Sequence, residues 1–166
     1  MQRAETTVMF VSRENASRSL LAEACLRHLG QSRFRVFSSG VPSLSDGRPS
    51  KWALLALKTA GMPTNGLHCK GWTQFLRSGS PRMDFVIALD QATTHLHPMW
   101  PGQPETAVWS FAPLAENKGN TNEVGLATLQ TLHALRRRIE LLVSLHSRGA
   151  SGADLRHDIR DMAHLS

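Results

Sequence analysis

Hydrophobic positions along the chain switch between strand-like and helix-like spacing. Val8 to Val11 is a short apolar run that predicts a strand. Behind it, Ser17 to Gly30 places Leu20, Leu21, Ala24, Leu26 and Leu29 on one helical stripe, with Gly30 as the stop. Arg33 to Ser38 alternates charged and apolar residues, as in a half-exposed strand. A second helix is predicted over Pro49 to Ala60, with Trp52, Leu54, Leu55, Ala56 and Leu57 forming one broad apolar surface. Asp84 to Asp90 encloses a continuous apolar run, the pattern of a strand buried on both faces. Gln91 to Leu96 predicts a short helix before Pro98 and Pro101, and Ala107 to Phe111 a last strand carrying Trp109. The longest helix is expected from Glu123 to His146, with Leu126, Leu129, Leu132, Ile139, Leu142 and Val143 facing inward.

This β-α-β-α-β-β-α order predicts a three-layer α/β/α sandwich around a central, mostly parallel four-stranded sheet. Ligands in such folds sit at the carboxyl ends of strands. Residues 1–148 are expected to form one domain, and 149–166 a linker followed by a short amphipathic helix. Gly149 to Gly152 reads as the linker, and Leu155, Ile159 and Met162 as the apolar stripe beyond it. That helix either docks on the core or contacts a second copy of the chain in a homodimer.

Composition narrows the class. A chain of 166 residues suits a single core. There is no signal-peptide pattern at the start, and no apolar run approaches the roughly 18 residues that cross a membrane. Two cysteines, Cys25 and Cys69, make no disulfide framework, which points to a reducing cytoplasm. Cys25 reads as a small buried apolar residue. The charge of +6 is compatible with an anionic substrate or acidic partner. It is scattered among few aromatic residues, which argues against nucleic acid. Arg136-Arg137-Arg138 reads as a solvated face with one stem packed on the core. His68, His95 and His97 read as surface histidines, their spacing being too weak for a metal site. No cofactor is implied.

The chemistry concentrates between the first strand and the first helix. There Ser12, Arg13, Glu14, Asn15, Ala16 and Ser17 form a tight polar loop closing on Arg18 and Ser19. A strand that turns into a helix this way converges backbone N–H groups and the positive end of the helix dipole on one spot, which binds anions. Arg18 is placed to clamp two oxygens of a phosphate-like ligand.

The spacing Ser12-x-x-Asn15-x-x-Arg18-Ser19-x-x-Ala22-Glu23 resembles the low-molecular-weight tyrosine phosphatase and arsenate reductase family, which reads Cys-x-x-Asn-x-x-Arg-Ser-x-x-Ala-Glu. Every marked position matches except the first, the nucleophile. Lys70, Trp72 and Phe75 resemble a Ser-Lys-Ser-Trp-x-x-Phe segment of the arsenate reductases, with Cys69 and Gly71 in place of serines. The resemblance covers roughly residues 6–146. It implies catalytic positions at Ser12 and Arg18 and an anion cradle over residues 13–19, for phosphate, arsenate, sulfate or a phosphorylated ligand.

Three departures qualify that implication. Ser12 stands where the family attacks phosphorus with a thiolate, and a hydroxyl needs a base that the loop does not supply. Ala112-Pro113 stands where Asp-Pro would supply the general acid, with Glu116 the nearest carboxylate. Asp90 and His97 fall where some arsenate reductases carry their two further cysteines. The expected protein is therefore an oxyanion-binding member of weak or absent catalysis, either an engineered trap or a natural pseudoenzyme. Two alternatives stay open: an active phosphatase or arsenate reductase with an unrecognised nucleophile, and a regulatory or scaffold protein acting through the pocket and C-terminal helix.

Overall fold

The computed structural model describes residues 5–114, 121–147 and 152–162. Four parallel strands form one sheet: β1 (Thr6–Val11), β2 (Phe34–Ser39), β3 (Phe85–Ala88) and β4 (Glu105–Val108), in the order β2-β1-β3-β4. Thr6 lies opposite Phe34, Val8 opposite Phe85, and Phe85 opposite Glu105. Four helices accompany the sheet among the described residues: α1 (Arg18–Gly30), α2 (Lys51–Thr59), α3 (Thr121–Ser147) and α4 (Gly152–Asp161).

Alternation along β1 divides the core between the two faces of the sheet. Val8 and Phe10 pack with Leu21, Cys25, Leu57 and Leu132 beneath α1, α2 and α3. Met9 and Val11 face the other way, onto Trp72, Phe75, Met83 and Trp100. Both faces of this inner strand are dry, so every residue of Val8–Val11 is apolar. The layers are α/β/α, and the layer over Met9 is thin, carrying a 3₁₀ turn at Trp72–Phe75. Truncating fully buried Phe10 to alanine would cost about 3–5 kcal/mol.

Several boundaries and faces differ from the sequence reading. The last strand ends at Val108, because its partner β3 ends at Ala88; Trp109 and Phe111 lie just past the ladder. On α2, Ala53, Ala56 and Leu57 are buried, while Leu55 is 55% exposed. On α3, Leu126 is also solvent-facing, and Leu135, which the sequence reading did not place on the inner face, is fully buried. A helix resting on one side of a sheet buries only the stripe that touches it. Gly30 does not supply the left-handed turn after α1; Gln31 does, at φ 48°. Glycine at 30 answers a packing need, since a Cβ there would lie 2.5 Å from the Phe34 ring.

The basic triplet behaves as expected. Arg137 is exposed and Arg138 is buried, its guanidinium 4.7 Å from the centre of the Phe111 ring and 5.8 Å from that of Trp109. Beyond α3, α4 packs on α3 and β4. Ile159 and Met162 enter the core, Trp109 Nε1 donates to Ile159 O at 3.0 Å, and Arg156 and Arg160 pair with Glu105. The linker at 149–151, the chain end after Met162, and Glu116 lie outside the described residues.

Candidate anion-binding site

The loop between β1 and α1 is braced from outside through its carbonyls. Val41 N–H donates to Arg13 O at 3.0 Å, and Ser50 N–H to Ala16 O at 2.8 Å. In a trans peptide the C=O and the following N–H point in opposite directions. With those two carbonyls committed to Val41 and Ser50, the N–H groups of Glu14 and Ser17 point the opposite way from them. Asn15 reverses the chain between them at φ 52°, a left-handed conformation that asparagine tolerates better than most residues. Gly40 makes the bracing possible: a Cβ there would come within 2.9 Å of both Arg13 O and Asn15 N. The loop then runs into the N-terminus of α1, whose dipole adds positive potential.

Side chains sort into two sets. Arg13 and Glu14 are exposed and contribute backbone only, while Ala16 and Ser17 are half-buried. Ser12, Asn15, Arg18 and Ser19 are buried. Ser12 Oγ lies 2.6 Å from Ser19 Oγ, and Asn15 Nδ2 donates to Ser19 Oγ at 2.7 Å and Ser38 Oγ at 2.9 Å. Arg18 lies against the C-terminal edge of the sheet. Its Nη2 pairs with Asp90 Oδ2 at 2.8 Å, and its Nη1 donates to Phe111 O at 3.0 Å and Leu89 O at 3.4 Å.

Beneath the loop lies a buried polar group that loop spacing alone did not reveal. Lys70 donates through N–H to Asn15 Oδ1 at 3.0 Å; its Nζ reaches Asn15 Oδ1, Ser38 Oγ, His68 O and Glu23 Oε1. Ser38 donates in turn to Glu23, which also pairs with Arg27 at 2.7 Å. Burial pushes the Lys70 ammonium below its ordinary value, and the Glu23 carboxylate opposes that fall. The signals existed as Glu23 and Lys70 of the two motifs; only the fold joins them.

The remaining candidates separate from the loop. His68 and His95 are exposed, but His97 is half-buried, its ring centroid 5.6 Å from that of Trp72 and 5.8 Å from that of Trp100. That corrects its reading as a surface residue, and burial lowers its basicity. Cys25 and Cys69 form no disulfide, and Cys69 is half-buried. Cys25 sits inside α1, its thiol pushed up to about 12 by burial. Among the described residues no group of three or more His, Cys, Asp or Glu is placed to hold a metal, and no helix is long and apolar enough to cross a membrane.

The family model of low molecular weight phosphotyrosine protein phosphatase matches residues 7–123. A solved arsenate reductase in its oxidized state shares 25% identity and a TM-score of 0.67, over 84% of this chain and 97% of that one. An arsenate reductase in the phosphate binding state shares 22% identity and a TM-score of 0.64, over 84% and 97% of the two chains. Wzb of Vibrio vulnificus in complex with benzylphosphonate shares 12% identity and a TM-score of 0.67, over 85% and 99%. The latter two likenesses concern the fold alone. A search of curated proteins finds no match.

Proposed function

Because this chain belongs to the low molecular weight phosphotyrosine protein phosphatase family, we propose that residues 12–19 bind a tetrahedral oxyanion and that turnover is weak or absent. The ligand class is phosphate, arsenate, sulfate or a phosphorylated molecule. Solved structures of similar fold carry phosphate and benzylphosphonate, which supports that class. Ser12 and Arg18 occupy the catalytic positions, and Arg13 to Ser19 the cradle.

The observation that carries the second half is the surroundings of Ser12. Its hydroxyl contacts the Ser19 hydroxyl, while the Lys70–Glu23 group reaches Asn15 and Ser38 instead. A serine becomes a nucleophile when an adjacent base takes its proton. Ala112 and Pro113, on the exposed segment past Trp109, carry no acid to protonate a leaving group. Thiol-dependent reduction lacks the thiols of the family pattern as well: Ser12, Asp90 and His97 are not cysteines, Cys25 is buried, and the half-buried Cys69 lies in the Lys70 segment instead. A reducing cytoplasm suits two cysteines that form no disulfide.

Calorimetric titration with inorganic phosphate and sulfate tests binding. Saturation at millimolar ligand in low salt, weakened by Arg18→Ala, is expected. Hydrolysis of p-nitrophenyl phosphate and thiol-dependent arsenate reduction should both stay near background. A turnover within tenfold of an ordinary phosphatase would favour an active enzyme with another nucleophile.

A further inference from the structure

Resting on that oxyanion reading for its ligand, we infer that Trp109 is a positioning residue for the Arg18 guanidinium, and that α4 is the brace that holds it. This helix lies beyond the residues matched by the family model. Docking of α4 thereby sets how tightly the loop holds its anion.

Among the described residues the Arg18 guanidinium donates to three oxygens: Nη2 to Asp90 Oδ2, and Nη1 to Leu89 O and Phe111 O. A guanidinium carries five N–H groups, so Nε–H and one Nη2 proton are left for a ligand. Asp90 and Leu89 follow directly on β3 and are buried. Phe111 differs: it lies past the end of β4, is half-buried, and leads into exposed Ala112 and Pro113. Its carbonyl is nevertheless the nearer of the two main-chain acceptors, at 3.0 Å against 3.4 Å for Leu89. Whatever fixes Phe111 therefore fixes the plane of the guanidinium.

The main chain here is tied to β3 and its exit, by Trp109 N–H to Ala88 O at 2.8 Å and Phe111 N–H to Leu89 O at 3.1 Å. Side chains complete the hold. Arg138 of α3 lies over both rings, 5.8 Å from the centre of Trp109 and 4.7 Å from that of Phe111, so the two rings shift together. Trp109 is fully buried, and its Nε1 donates to Ile159 O at 3.0 Å. Ile159 is among the last four residues of α4, whose carbonyls a helix cannot satisfy by itself. The indole N–H caps that end. In turn α4 is only lightly held, because a ten-residue helix is too short to persist alone in water. Ile159 and Met162 reach the core, while Arg156 and Arg160 meet Glu105 in ion pairs that salt screens. Undocking α4 takes away the indole's acceptor, and the ring pair that seats Phe111 loosens. An Arg18 released from Phe111 O regains freedom that anion binding must then remove, so affinity falls.

Nitrogen NMR of the full chain tests the brace without any ligand. With Arg18 assigned through Arg18→Lys, it reads rotation about the Arg18 Cζ–Nη bonds, which is slow when both Nη groups are held. The native chain should give separate Nη signals, and Trp109→Phe and Ile159→Asp should each merge them. By calorimetry the same two variants should bind inorganic phosphate about fivefold more weakly, the scale of one lost hydrogen bond. Phe34→Leu serves as the control, because it opens β2 at the far edge of the sheet from β4. It should lower the melting temperature yet keep both the signals and the affinity. Separate Arg18 signals and native phosphate affinity in Trp109→Phe and Ile159→Asp would overturn the positioning role. Equal losses in Phe34→Leu would overturn it too, by assigning the effect to global stability. If the native chain binds no phosphate, the oxyanion reading falls, and the Arg18 signals alone decide whether Trp109 positions the guanidinium.

Discussion

Arg18 Nη2 and Asp90 Oδ2 lie 2.8 Å apart, and both side chains are buried. The cation that opens α1 is therefore tied to the segment after β3 as well as to its own helix. Removing one partner of a buried pair leaves an uncompensated charge, which typically costs about 3–5 kcal/mol. Asp90→Asn should lower unfolding stability by about 3 kcal/mol, read from urea denaturation. Saturating phosphate should raise stability more in this variant than in the native chain, because the ligand supplies the missing negative charge. An unchanged midpoint would show that the pair contributes nothing to the fold.

Ser12→Cys should create an acidic thiol with partial catalysis. The loop N–H groups, the α1 dipole and the Ser19 hydroxyl all favour a thiolate there. With alanine at 112, the leaving group departs as an anion, which nitrophenolate tolerates and an alkoxide does not. The variant should therefore hydrolyse aryl phosphates far better than alkyl ones, and adding Ala112→Asp should narrow the gap. Iodoacetamide alkylation against pH reads the thiol directly; a value at or above that of free cysteine would contradict the anion-stabilising loop.

His97 makes stability pH-dependent. Burial beside Trp72 and Trp100 holds its pKa below the ordinary 6.5. As pH falls through that value the unfolded chain takes up a proton that the folded chain resists, so stability is full above it and declines on acidification. His97→Gln should flatten this part of the profile. Urea midpoints between about pH 7 and 5 provide the check; an identical slope in the variant would assign the effect elsewhere.

Trp109→Phe should loosen the C-terminal helix. The substitution removes the donor to Ile159 O while keeping a ring beneath Arg138. A lost buried hydrogen bond costs about 1–2 kcal/mol, measurable by denaturation. Amide exchange in α4 should accelerate more than in α1; uniform acceleration would mean that α4 is not held through this contact.

Much of this architecture is legible in the chain itself. The unbroken apolar runs at Val8–Val11 and Phe85–Leu89 demand strands with two dry faces, and the polar stretch between Val11 and Arg18 marks the turn from strand to helix. Those inferences need only neighbours in sequence. The inner face of α3 was partly misjudged at Leu126 and Leu135 because which stripe of a helix is covered depends on what lies against it. His97 looks like any polar residue until Trp72 and Trp100 close around it.

The sequence by itself determined the parallel α/β plan, the position of the loop and the absence of a thiol at residue 12. Tertiary structure decided which groups stand behind that loop. Asn15, Ser38 and Lys70 are separated by long stretches of chain, and only the pairing of β1 with β2, and of Gly40 with Gly71, brings them within hydrogen-bond distance. Hydrogen-bond direction is a property of such a network rather than of any one residue, because each group's proton goes where its neighbours leave an acceptor.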